Sequence, residues 1–144
     1  MEDAGVGRQV LSPNHPPYLP DEAECVTAVK MLNDAYAEFA RRYPDRISSY
    51  VMLPLPHIDA SLKEMERGFD DLGCVGVNMN IVCLGRSIAE AEFEPLYAEM
   101  NRAAPSCSCT RPAAPSARPY HRLQLRRIGR HLARGRDFRA AYDR

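Results

Sequence analysis

Ile47-Ser48-Ser49-Tyr50-Val51-Met52-Leu53, then Pro54-Leu55-Pro56-His57, then Ile58 through Leu72, then Gly73-Cys74-Val75-Gly76-Val77-Asn78-Met79, is the stretch whose reading decides the fold. The first run has β-branched and aromatic residues near its start, so a strand is predicted over 47–53. Two prolines end it by fixing φ and removing backbone donors. Ile58, Leu62, Met65, Phe69 and Leu72 then recur at three- and four-residue steps. That spacing predicts a helix over 58–72 that buries those five residues and is capped by Gly73. A second apolar run, 74–79, follows at once. Strand, helix and strand joined this tightly imply parallel strands with a right-handed crossover.

The same rhythm extends in both directions. Upstream, Arg8-Gln9-Val10-Leu11-Ser12 reads as a short buried strand after a turn at Gly5-Val6-Gly7, and Ser12-Pro13-Asn14-His15-Pro16-Pro17 forbids regular structure. A helix is predicted over 21–42, with Val26, Val29, Leu32, Tyr36, Phe39 and Tyr43 on its buried face. Acidic residues at its start and Arg41 and Arg42 at its end match the helix dipole, and Pro44 stops it. Downstream, a helix starting near Glu92 tolerates Pro95 in its first turn and buries Phe93, Leu96, Tyr97 and Met100. Glu90, Glu92 and Glu94 read as its solvated start. The order is β-α-β-α-β-α. Nearly continuous apolar strands fit either a sheet covered on both faces or a barrel wall. Periodicity leaves both a barrel segment and a small doubly wound sheet open.

The chain has 144 residues, 45% of them apolar. That suits one globular domain but falls short of the roughly 250 residues of a complete eight-stranded βα barrel. No apolar run approaches the roughly 18 residues of a membrane span. The acidic start, Met1-Glu2-Asp3, lacks the basic and apolar regions of a signal peptide, so a cytoplasmic address is expected. The five cysteines (Cys25, Cys74, Cys83, Cys107, Cys109) are odd in number and irregularly spaced, which implies reduced thiols. Cys25 and Cys74 read as small apolar core residues. Gly73-x-x-Gly76 is too short for a phosphate loop.

The net charge of zero sums two unlike parts. Residues 1–102 carry 9 Lys and Arg against 17 Asp and Glu, a net of −8; residues 103–144 carry 10 Arg against 2 acids, a net of +8. From Ala103 onward amphipathic spacing disappears and Arg, Pro, Ala, Ser and Cys dominate. This is the vocabulary of GC-rich codons read out of frame. The genetic code can be tested across Pro105-Ser106-Cys107-Ser108-Cys109-Thr110-Arg111 by joining the third base of each codon to the next two. With TCN serines and a CGN arginine, the positions from Ser106 to Cys109 become apolar. The Cys109/Thr110 junction becomes His or Tyr, and one allowed solution is Val-Leu-Phe-Leu-His-Pro. The other frame thus encodes an apolar strand where the rhythm calls for one. The competing reading is a selected arginine-rich tail that binds RNA, DNA or acidic partners. The expected division is residues 1–102 as the folded domain and 103–144 as an irregular or helical basic tail.

Several blocks, in order and at fitting intervals, resemble the amidohydrolase-related family of the aminocarboxymuconate-semialdehyde decarboxylase type. They are the run from Met1 to Ser12, Phe39-Ala40-Arg41-Arg42-Tyr43-Pro44-Asp45-Arg46, Leu53-Pro54-Leu55-Pro56, Gly73-Cys74-Val75-Gly76-Val77 and Phe93-Glu94-Pro95-Leu96-Tyr97. The resemblance implies an α/β fold: a partial (β/α)8 TIM barrel of three βα units, the second to fourth of the family barrel. It implies a metal-dependent carboxy-lyase or hydrolase acting on a small organic acid or cyclic substrate, commonly with zinc. Family ligands come from a His-x-His after the first strand, a His after the fifth and an Asp near the last. No His-x-His exists here, since the histidines are His15, His57, His121 and His131, so no metal ligand carries over.

Barrel chemistry sits at the C-terminal ends of the strands. In this sequence those positions are Asn14 and His15, then His57, then Asn78 and Asn80, the candidate substrate-binding residues. His15 among prolines and His57 before a helix read first as a loop and a helix-start residue, and the Asn pair fits a pocket-facing or a turn role equally. The expectation is an inactive internal segment with low thermal cooperativity, self-associating through open sheet edges and touching nucleic acid only non-specifically through its tail. The alternative is a small α/β binding module whose arginine-rich tail binds nucleic acid.

Overall fold

A computed structural model describes residues 5–13 and 15–103, and the backbone of 106–110. The elements are β1 (Gln9–Leu11), α1 (Glu22–Arg42), β2 (Ile47–Met52), α2 (Ile58–Asp70), β3 (Gly76–Asn80), a small hairpin of β4 (Val82–Cys83) and β5 (Arg86–Ser87), a 3-10 turn (Ala91–Phe93), α3 (Glu94–Ala103) and β6 (Ser106–Thr110). The main sheet has the order β1-β2-β3-β6. Every pairing in it is parallel, with Gln9 opposite Ile47, Val51 opposite Val77 and Met79 opposite Cys109. Strands adjacent in the chain are adjacent in the sheet and the sheet is not closed, so this is a partial (β/α) barrel wall.

β2 and β3 are buried because α2 and α3 cover one face of them. Val51, Leu53, Met65, Val77, Met79, Phe93, Leu96, Tyr97 and Met100 form one cluster, and Ile58, Leu62, Phe69 and Leu72 pack against it half-buried. The predicted apolar face of α3 is therefore the observed one, whereas on α2 only Met65 of the expected five is fully buried, beside Ser61, Glu64 and Gly68. Gly73 has φ +67°, the conformation in which glycine carries no Cβ penalty, and the Cys74 N–H donates back to Gly68 O at 2.9 Å.

Two further expectations change. On α1 the buried stripe is Cys25, Val29, Asn33 and Ala37, while Phe39 and Tyr43 are 44% and 50% exposed and rest against each other. The cause is Asn33. Past the end of β1, its carboxamide accepts from Met52 N–H at 2.9 Å and donates to Met52 O at 3.0 Å, so a side chain supplies the missing strand neighbour. Its Nδ2 also donates to Glu64 Oε1 at 2.7 Å. Glu64, 2% exposed, is held in turn by Arg67, which reaches Asp34 as well. The hydrogen bonds from Arg67 to Glu64 chiefly raise the Arg67 pKa above its ordinary value; partial burial opposes the rise and Asp34 adds to it. Apolar periodicity does not register a stripe centred on a polar residue.

The second change lies in the segment expected to be an irregular or helical tail. Ser106–Thr110 forms a fourth parallel strand, β6, paired with β3 at all five positions from Gly76 to Asn80. A buried strand leaves a row of backbone donors and acceptors on its far side, and pairing along it asks little of side chains. The rest of the basic tail, 111–144, lies outside the described residues.

Asn33→Ala removes the partner of the Met52 backbone and exposes Glu64 to an unsatisfied acceptor site. It is expected to destabilise by about 3 kcal/mol, whereas Phe39→Ala stays within about 1 kcal/mol. Urea midpoints of the two variants check this, and the reverse order would return the buried face to the apolar stripe. A Cβ at Gly68 would lie 2.6 Å from Val51 Cγ2 and 2.7 Å from its Cβ. Gly68→Ala is therefore expected to cost about 1–3 kcal/mol by overpacking, although alanine is the better helix former.

Candidate functional site

The C-terminal ends of β1, β2 and β3 carry the segments 12–21, 53–57 and 81–90. Val77 and Met79 point into the helix-side cluster, so strand alternation puts Asn78 and Asn80 on the opposite face, the one a closed barrel turns inward. Asn78 is fully buried and donates from Nδ2 to Pro13 O at 2.8 Å. Asn80, also buried, donates its backbone N–H to the Tyr18 hydroxyl at 2.9 Å. His57 stands at the N-cap of α2 without capping it through its side chain. Its Nε2 lies 3.0 Å from Leu19 O, and since a carbonyl only accepts, Nε2 carries the proton. Cys25 Sγ lies 3.4 Å from Pro17 O and 3.8 Å from Leu55 O.

These contacts share one target. His57, Asn78 and Asn80, which the sequence singles out, are brought together on the proline-rich segment 13–19 and fasten it across the ends of β2 and β3. His15 is exposed on that segment, and Asn14 lies outside the described residues. Sequence reasoning missed Tyr18, which fastens the segment from its own side, and Cys25, which holds Pro17 O from α1. The signal for Tyr18 was an aromatic residue in an otherwise proline-dominated loop. Asn78 Oδ1 is buried with no hydrogen-bond partner among the described residues.

Beyond β3, the tight hairpin turn carries Leu84 at φ +46°, and Tyr97 donates to Ile88 O. Glu90 accepts from Ser87 N–H at 2.9 Å. Glu92 is half-buried and paired with Arg86. The glutamates expected as a solvated helix start thus include two, Glu90 and Glu92, that tie the turn before α3 to the hairpin.

The chemistry of this end is limited. Burial pushes the Cys25 thiol up, a hydrogen bond to the Leu19 backbone opposing it, and the Cys83 thiol is pushed up to about 12 by burial and then by Cys25, against a smaller pull from Arg86. Both stay protonated at neutral pH and are poor nucleophiles and metal ligands. Cys74 is raised by burial too, with a partial offset from its hydrogen bond to Ser49. Among the described residues no three of His, Cys, Asp and Glu converge as a metal site requires, so the described donor set does not fit a divalent metal. A cavity of about 460 Å³ between Phe69, Cys74, Val75 and Arg102 opens at the opposite end of β3, away from the strand ends where barrel chemistry sits. No helix among the described residues is long and apolar enough to cross a membrane.

No family model matches the chain. A gamma-resorcylate decarboxylase of Rhizobium radiobacter is 35% identical to it over 82 residues, which are 56% of this chain and 25% of that enzyme. A crystal structure of 2,6-dihydroxybenzoate decarboxylase complexed with 2,6-dihydroxybenzoate superposes with a TM-score of 0.73 at 26% identity, covering 90% of this chain and 40% of that one. A 5-carboxyvanillate decarboxylase from Novosphingobium aromaticivorans, with bound manganese, superposes with a TM-score of 0.69 at 26% identity over 74% of this chain and 31% of that one. The chain thus spans well under half the length of the relatives it matches. The metal named in that last relative is manganese, where the sequence resemblance pointed to zinc. Over 82 residues the chain is thus similar to gamma-resorcylate decarboxylase, and its strands and helices superpose on part of the barrel of solved decarboxylases.

Proposed function

We propose that this chain is a segment of a metal-dependent amidohydrolase-type carboxy-lyase or hydrolase whose substrate is a small cyclic organic acid, and that it is inactive by itself. The carrying observation is the 35% identity to a gamma-resorcylate decarboxylase over 82 residues, joined to a sheet of matching topology. In the parent enzyme the divalent metal, zinc or manganese, supplies the electrophilic chemistry. In this chain, residues at the strand ends bind and position: Asn14, His15, His57, Asn78 and Asn80 belong to the substrate end. His57, Asn78 and Asn80 set the height of the 13–19 segment over it. The address is cytoplasmic. Residues 103–144 derive from a shifted reading frame and meet nucleic acid only through unspecific charge, and the open edges of the sheet favour self-association.

Two measurements test this reading. Full-length chain incubated with 2,6-dihydroxybenzoate and either manganese or zinc is expected to release no carbon dioxide above the protein-free rate; turnover with stoichiometric metal would contradict it. The encoding DNA is expected to hold a His-x-His codon pattern upstream of Met1 and a strand ending in His-Pro in another frame after Arg102. An uninterrupted gene lacking both would remove the enzyme parentage.

A further inference from the structure

We propose that the outer face of α1 docks a second copy of this chain, the two helices packing antiparallel about a two-fold axis. The inference is independent of the enzyme reading. It uses only the side of α1 that points away from the sheet, and that side lies outermost whether the sheet stays open or belongs to a closed barrel.

Asn33 fixes the inward direction of α1 through its bonds to the Met52 backbone. At about 100° per residue, Glu24, Met31, Ala35 and Arg42 fall within about 20° of the opposite direction. With Ala28 and Glu38 between them they follow alternating steps of four and three, the spacing of a seam between two helices. The centre of the seam is apolar and its ends are charged. Met31 is 67% exposed, more than any other large apolar side chain among the described residues. Ala35 beside it is exposed, and a shallow depression of about 420 Å³ lies among Ala23, Glu24, Thr27, Ala28 and Met31. A flexible, protruding methionine in a field of small side chains supplies both halves of a contact between identical surfaces.

The register follows from the spacing. In an antiparallel pair centred on the level of Asn33, Met31 of each copy lies on Ala35 of the other. Ala28 then meets the stem of Glu38, and Glu24 meets Arg42. Charge selects this direction. The helix starts with Glu22 and Glu24 and ends with Arg41 and Arg42. Antiparallel packing sets acid against base at both ends, whereas parallel packing would set like charges together. Glu24 has no ionic partner among the described residues, while Arg41 and Arg42 share the single carboxylate of Glu38. One positive charge is thus left over at the end that receives Glu24 of the other copy. A single helix face buries less than the roughly 1,200 Å² of a standard stable interface, so the pair is weak and reversible.

The seam can be altered without touching the core, because Glu24, Ala35 and Arg42 are exposed. Sedimentation velocity of the full chain over a concentration series is expected to show 16.2 kDa monomer in equilibrium with a particle of twice that mass. Ala35→Arg places a bulky charge in the apolar centre and should raise the dissociation constant about tenfold or more. Glu24→Arg and Arg42→Glu each oppose like charges and should raise it about threefold. Combining the two swaps re-forms opposite pairs and should restore the value of the unaltered chain. Far-ultraviolet circular dichroism is expected to be the same for every variant. Association through the open sheet edges would respond to none of these changes. A monomer at every concentration, an association indifferent to Ala35→Arg, or a double swap no tighter than the single ones would each overturn the docking.

Discussion

A strand inside a parallel sheet has hydrogen-bonding groups on both flanks, and burying them without partners costs about as much as the sheet gains from packing. Most of the structure answers to this constraint. Where β1 stops opposite Ser49, the backbone of Met52 would face α1 with nothing to bond. Asn33 fills that place from a helix. Its presence in the α1 interface obliges the neighbouring carboxylate, Glu64, to be buried, and Glu64 in turn requires Arg67. On the other flank, β3 finds β6. What resembles a set of local features is one requirement met successively by a strand, a carboxamide and a strand.

The same constraint explains which parts of the architecture were legible in the sequence. Helix ends were, because Asp21, Pro44 and Gly73 act locally through capping, ring geometry and positive φ. The buried face of α3 was, and that of α2 in part, because Met65, Leu96 and Met100 meet an apolar sheet and periodicity records apolar contact, but not the burial of Ser61, Glu64 and Gly68. The α1 face was legible only in part, through Val29, Leu32 and Tyr36: Asn33 is buried for the sake of another strand's backbone, and no property of residues 22–42 announces where that backbone lies. β6 was invisible for a related reason. Ser-Cys-Ser-Cys-Thr has neither an apolar run nor a clear alternation, and what makes it a strand is the open flank of β3.

The sequence placed His57, Asn78 and Asn80 at the C-terminal ends of the strands, but not the loop groups they bond to. Barrel topology alone sends His57, Asn78 and Asn80 to the strand ends. Whether a polar side chain there meets a ligand or a loop depends on the course of residues 13–19, whose prolines fix local dihedrals without fixing direction. The segment lies across the strand ends, and Pro13 O and Leu19 O, which no helix or strand can satisfy, receive Asn78 and His57. Tyr18 completes the arrangement through the Asn80 backbone. Prolines that remove donors from a loop leave it rich in acceptors, and a loop rich in acceptors draws donors to itself.

Homology over one part of a barrel therefore transfers unevenly. Chemistry in such enzymes is assembled from the ends of several strands, each contributing one or two groups to a shared centre. A run of consecutive strands inherits the curvature, the crossover packing and the placement of its own loops, since these depend on neighbours within the run. It inherits reactivity only where the reacting groups also lie within the run. Here the groups that lie within it are carboxamides, a histidine bound to a carbonyl and thiols kept protonated by burial. These are groups for holding a loop at a fixed height above a sheet. Among the described residues no three candidate metal ligands converge in this wall, and its polar groups are spent on the loop that crosses the strand ends.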